Sequence, residues 1–154
     1  MMSCPDLLRA HAGERLALIA ESFQRLIGAP LVAPALPIAD ALWNAPRVIV
    51  AHATEDDPIF FFGNKMALEL FEMTPDEFIK LPSRLSAEAM NREERQRLLD
   101  EVTRNNFIAN YAGVRISATG RRFRIEQAVV WNLSDAQGVK HGQAATFDHW
   151  VPII

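Results

Sequence analysis

Near the start of the chain, the apolar residues Leu8, Ala12, Leu16, Ile19, Phe23 and Leu26 recur at steps of four or three. That spacing lines them up on one stripe and predicts an amphipathic helix over residues 5–27. Pro5 and Asp6 suit its first turn, and Gly28 followed by Pro30 stops it. The stripe has two possible uses: packing on the chain's own sheet, or forming a coiled-coil seam in a homodimer. Residues 29–46 then hold four of the nine prolines, Pro30, Pro34, Pro37 and Pro46. This stretch reads as a connector with one short helical turn at residues 38–43, because proline lacks the backbone donor and fixes φ.

After the connector the period changes. Arg47-Val48-Ile49-Val50-Ala51-His52 is a run rich in β-branched residues that predicts a strand, Glu55 to Pro58 forms a turn, and Ile59-Phe60-Phe61-Phe62 predicts a second strand. Gly63 ends that strand and Asn64 is placed to cap a helix over residues 65–71. Thr74-Pro75-Asp76-Glu77 has the form of a capping box at the start of another helix. Between Asn91 and Thr103 only Leu98, Leu99 and Val102 are apolar, so the helix predicted there is exposed on most of its surface. Period-two alternation follows over residues 111–119, over residues 123–131 and in a run ending at Val151, with turns at Gly120 and across residues 132–138. This is the pattern of an antiparallel meander with one buried face. The order predicts an α+β fold: five antiparallel strands in one sheet, helices on one face, and an N-terminal amphipathic helix in addition. The first two strands must lie beside the last ones to cover their edges.

Composition narrows the function classes. At 154 residues, with 49% hydrophobic and 23% charged, the chain supports one compact domain, expected over residues 46–154, preceded by the helix and connector of residues 1–45. A net charge of -3 gives no overall attraction to nucleic acid. No apolar run reaches the roughly 18 residues of a membrane span, and no signal-peptide core is visible, so a cytoplasmic location is expected. The single cysteine, Cys4, supports neither a disulfide framework nor a cysteine-rich metal site. The four histidines, His11, His52, His141 and His149, have no i, i+4 pairing, so no metal site is predicted. No nucleophile elbow, phosphate loop or dinucleotide fingerprint is present, so no catalytic residue is assigned.

Several blocks resemble a known family. Pro58 to Leu68 is similar to the entry segment of PAS domains, where an aromatic strand ends in Asn and a short helix follows. Leu81 to Glu88, Tyr111 to Ser117, Gly120 to Phe123, Val130 to Leu133 and Gly142 to Phe147 more specifically resemble the MEKHLA domain. The resemblance spans roughly Ala45 to the C-terminus. Plant members carry this domain at the end of homeodomain leucine-zipper transcription factors, where it is thought to regulate dimerisation. This chain has no homeodomain or basic zipper, so the resemblance implies a stand-alone, non-enzymatic PAS-like sensory module.

A PAS-like fold implies a small-molecule cavity between sheet and helices, lined here by Tyr111, Phe123, Gln127, Trp131 and Phe147. Alternation places Phe123, Ile125, Gln127, Val129 and Trp131 on one strand face, which makes Gln127 the odd polar residue on an apolar surface. A buried amide there needs a backbone or ligand partner. The helical lid has no cysteine for flavin photochemistry, and the identity of any cofactor is left open. Signalling would then run through a homodimer or a regulatory protein partner. The alternative is a ligand-free interaction domain whose cavity is filled by aromatic side chains.

Overall fold

A computed structural model describes residues 2–34, 37–88 and 92–154. Helices α1 (Asp6–Ala12), α2 (Arg15–Ile27) and α3 (Ile38–Trp43) precede strands β1 (Val48–His52) and β2 (Phe60–Gly63). Helices α4 (Lys65–Phe71), α5 (Pro75–Phe78) and α6 (Arg92–Asn105) follow, with a 3₁₀ turn at Ser83–Ser86 between α5 and α6. The chain finishes with β3 (Phe107–Ile116), β4 (Arg122–Ser134), β5 (Lys140–Phe147) and β6 (His149–Ile153). The start of α6 predicted at Asn91 lies outside the described residues.

The sheet runs in the order β2-β1-β5-β4-β3, every pair antiparallel, and β6 pairs with the first half of β4. Asp148 alone separates β5 from β6, and both pair with β4 in one continuous register, Val129 with Thr146 and Glu126 with His149. They therefore act as a single interrupted strand, and the sheet has the expected five-stranded PAS-like plan with the first two strands beside the last. One turn boundary differs from expectation. Asn132, Leu133 and Ser134 belong to β4, and the turn begins only at Asp135, whose Oδ1 accepts from the amides of Gln137 and Val139.

The predicted N-terminal helix is broken. Gly13 adopts φ 58 and ψ -131, a conformation open to glycine and strained for other residues, and this separates α1 from α2. The stripe survives the break: Leu8, Ala12, Leu16, Ile19 and Phe23 are all buried, in the same core as the sheet. Of the two uses open to that stripe, the structure shows packing on the chain's own sheet, which covers its apolar surface. Trp131 fixes the contact, since its indole lies edge-on to Phe23 at 4.9 Å and donates from Nε1 to the Ser22 hydroxyl at 3.1 Å. The Arg15 guanidinium lies 3.9 Å from the centroid of Phe61 on β2.

The opposite face carries α4, α5 and α6. Neighbouring strand residues point to opposite faces, so while Phe61 meets Arg15, Phe60 stacks on Phe78 of α5 at 4.4 Å. The β1–β2–α4 corner is held by Asn64, which is fully buried. Its Oδ1 accepts from the amides of Ala67 and Ile49, each at 3.1 Å, and its Nδ2 donates to the carbonyls of Leu42 and Arg47. The expected cap is present, and the same side chain also ties α3 and β1 to α4. The capping box of Thr74 and Glu77 is formed as read.

Candidate functional site

The space directly under α4 and α5 is closed by aromatic side chains. Phe71 meets Phe123 at 5.5 Å and Phe78 at 6.1 Å, and Phe78 in turn stacks on Phe60. Packing is so tight that a Cβ on Gly63 would lie 2.6 Å from the Phe78 ring. Glycine is required here by close approach, since any side chain would displace Phe78.

The open space lies further along the sheet. A cleft of about 540 Å³ separates α6 from the edge strand β3 and reaches Arg124 of β4. One wall is a single face of α6, Glu94, Arg97, Leu98 and Glu101, at the i, i+3, i+4, i+7 spacing. The other wall combines Ile108, Tyr111, Val114, Arg115 and Arg124. Glu88 closes one end; its amide donates to the Val114 carbonyl at 3.2 Å and its carboxylate pairs with Arg122. The Arg115 guanidinium sits 5.7 Å from the Tyr111 ring centroid. Arg97, Glu101 and Arg124 make no ion pair among the described residues. A volume of this size suits a small molecule, with apolar contacts from Leu98, Ile108 and Val114 and charged groups on both walls.

Of the five residues expected to line a cavity, the structure brings only Tyr111 to this cleft. Phe123 is packed under Phe71, and Phe147 lies edge-on to Trp150, whose cross-strand partner is Ile125. Gln127 and Trp131 depart from the predicted strand face because of a β-bulge. Tyr111 pairs with Ala128 and Gly113 with Ile125, so Glu126 and Gln127 together oppose Ala112 alone. Gln127 takes φ 55 and is exposed, so its amide faces no burial problem. Beyond the bulge the alternation is reset: Ala128, Val130 and Asn132 follow Phe123 and Ile125 on the inner face. Trp131 is thereby turned outward, under α2. A second bulge with Asn110 at φ 61 lets Ala109 and Asn110 oppose Val129 and restores the β3–β4 register.

Two polar clasps border this region. Asn132 donates from Nδ2 toward the Val102 carbonyl and Asn106 Oδ1, and its own amide donates to the Asn106 carbonyl at 2.9 Å, which pins the end of α6 to the sheet. Gln143 Nε2 continues the row by donating to Asn132 Oδ1 at 3.3 Å. Beside it, burial pushes the His52 imidazole below its ordinary pKa, although hydrogen bonds to the Ala53 carbonyl and Gln143 oppose the shift. At the end of α4, Glu72 accepts from the Ser117 hydroxyl at 2.6 Å and from Thr119. These hydroxyls, Ser117 first, hold its carboxyl below the usual carboxylate range. The arginines of the β3–β4 hairpin separate: Arg121 faces Glu72 at 3.6 Å, Arg122 is paired with Glu88, and Arg115 and Arg124 line the cleft. The family resemblance implies a cavity between sheet and helices but marks no residue of the α6 wall, because its sole cleft-facing apolar residue, Leu98, sits among charges. The only available signal was the four-residue face spacing itself.

Among the described residues no cluster of histidine, cysteine, aspartate or glutamate is arranged to hold a metal ion, and no helix is long and apolar enough to cross a membrane.

Comparison with solved structures agrees with this architecture. A PAS domain from Colwellia psychrerythraea superposes with a TM-score of 0.60 at 15% identity, covering 75% of this chain and 92% of that one. An RNA-binding light-oxygen-voltage receptor superposes with a TM-score of 0.62 at 16% identity, covering 78% of this chain and 35% of the receptor. At these identities the likeness is one of fold. Among curated sequences, the homeobox-leucine zipper protein HOX9 of Oryza sativa subsp. indica is 25% identical over 139 residues, 86% of this chain and 16% of HOX9. HOX29 of the same subspecies is 26% identical over 104 residues, 66% of this chain and 12% of HOX29. This chain thus spans less than a fifth of the length of either relative. The family model of the MEKHLA domain matches residues 14–152, taking in α2 as well as the whole sheet, and the chain belongs to the MEKHLA domain family.

Proposed function

We propose that this chain is a non-enzymatic PAS-like sensory module that takes a small molecule in the cleft between α6 and β3 and reports its presence through the helices on the opposite face. The observation that carries the reading is the position of β4. Its first half presents Arg124 to the cleft, and its second half presents Trp131 to Ser22 and Phe23 of α2. One strand is therefore shared by the candidate ligand site and the outer helix, and the bulge at Gln127 lies between them. Coupling of this kind requires a ligand that favours one arrangement of that strand over another.

The test is a thermal-shift screen of the purified chain against small metabolites, repeated with Leu98→Trp, which fills the cleft from a half-buried position on α6. A ligand of the cleft raises the melting temperature of the parent protein, because binding to the folded state alone stabilises it, and the rise disappears in Leu98→Trp. A rise that persists in Leu98→Trp places the ligand elsewhere and refutes the reading. The tight aromatic filling under α4 and α5 favours a second reading, a ligand-free interaction domain; no shift with any compound would support it.

A further inference from the structure

The cleft holds an unusual set of uncommitted charges. Arg97 and Glu101 lie on its α6 wall and Arg124 on its sheet wall, and none of the three has an ion-pair partner among the described residues. Arg97 and Glu101 are four residues apart on one helix face, close enough to pair with each other, yet they do not. Between the two walls, Leu98, Ile108 and Val114 give an apolar middle. Of the other two acids in the lining, Glu88 is engaged by Arg122 and Glu94 is not free.

Resting on the small-molecule reading above, we infer that the ligand of this cleft is a zwitterion with an apolar body, an apolar α-amino acid or a short peptide of such residues. Its carboxylate lies between the guanidiniums of Arg97 and Arg124, which join helix wall to sheet wall, and guanidinium is the donor geometry that a carboxylate fits in a bidentate manner. Its ammonium lies at Glu101, one helical turn along the same wall. Its apolar side chains cover Leu98, Ile108 and Val114. A simple carboxylate would engage only the guanidiniums and a simple amine only Glu101, whereas a zwitterion engages both kinds of charge. Because the same ligand contacts α6 and β4, it fastens the helix to the strand that also carries Trp131.

The experiment is calorimetric titration of the full chain with L-leucine and with the dipeptide L-leucyl-L-leucine. The N-acetylated dipeptide, which keeps only the negative end, and the dipeptide amide, which keeps only the positive end, serve as matched controls. The expected result is binding of at least one zwitterion, with each masked form at least tenfold weaker. Arg124→Gln should weaken the zwitterion at least tenfold while leaving the dipeptide amide unchanged, and Glu101→Gln should do the reverse, sparing the acetylated form. Both positions are exposed, so neither change threatens the fold. Equal affinity for the acetylated dipeptide and the zwitterion would overturn the inference in favour of a plain carboxylate ligand. So would failure of every amino acid and peptide while another compound binds in a manner abolished by Leu98→Trp; in both cases the cleft reading survives. Absence of any cleft ligand in the wider screen would remove both.

Discussion

Asn64 shows how much one side chain can hold in place. Its amide satisfies two backbone donors and two backbone acceptors drawn from α3, β1 and α4, and it is fully buried. Asn64→Ala leaves buried amides and carbonyls without partners, each costing on the order of 1–3 kcal/mol when water cannot replace the bond. Urea denaturation should show a loss of at least about 3 kcal/mol for Asn64→Ala, and Asn64→Asp should cost as much, because it keeps both acceptor bonds but sets a buried carboxylate oxygen against the Leu42 and Arg47 carbonyls. A loss for Asn64→Asp well below that of Asn64→Ala would mean that the donor bonds to Leu42 and Arg47 contribute nothing. The cap was legible in the sequence, because an asparagine between an aromatic strand and an apolar helix stands where the first helical amides need an acceptor. The two donor bonds were not, since they depend on where the proline-rich connector returns in space.

At the scale of the element, helices and caps were legible while strand faces were not. The positions of α3, α4 and α5 follow from proline, asparagine and threonine signals that act within a few residues. Period-two alternation along β4 failed at Gln127, since nothing local marks a bulge formed by a residue other than glycine. Two consequences followed: Gln127 was placed inside, and Trp131 was placed on the ligand side when it faces α2. The bulge gives a direct prediction. A non-glycine residue at φ 55 carries a penalty of roughly 1–2 kcal/mol, so Gln127→Gly should raise stability by about 0.5–1 kcal/mol once the roughly 0.5–1 kcal/mol cost of glycine's flexibility in the unfolded chain is taken off. A loss of stability on the same denaturation curve would show that the glutamine side chain holds the bulge through contacts of its own. Gly13 is the matching case in the helices: the apolar spacing runs straight through it, and only its φ and ψ reveal that one predicted helix is two.

For the whole molecule, the account rests on a sheet covered on both faces by its own chain. Helices α4 and α5 close the inner face with phenylalanines, α6 leaves the cleft, and α1 and α2 seal the outer face. The five-strand plan was readable from order and alternation alone, because a half-buried sheet imposes its period on every strand. A cavity between sheet and helices is what the family resemblance implies, but its lining, Tyr111 apart, was not readable, since it is formed between a charged helix and an edge strand whose contact no local pattern encodes. What joins these parts is the intramolecular seat of α2 on β4 through Ser22, Phe23 and Trp131. Amide hydrogen exchange followed over a hundredfold range of protein concentration tests that seat most directly. The amides of α2 should be protected to about the same degree as those of β4, and dilution should leave that protection unchanged. Free exchange in α2, or protection that falls away on dilution, would mean that the outer face is closed by a second molecule or left open, and would contradict the account.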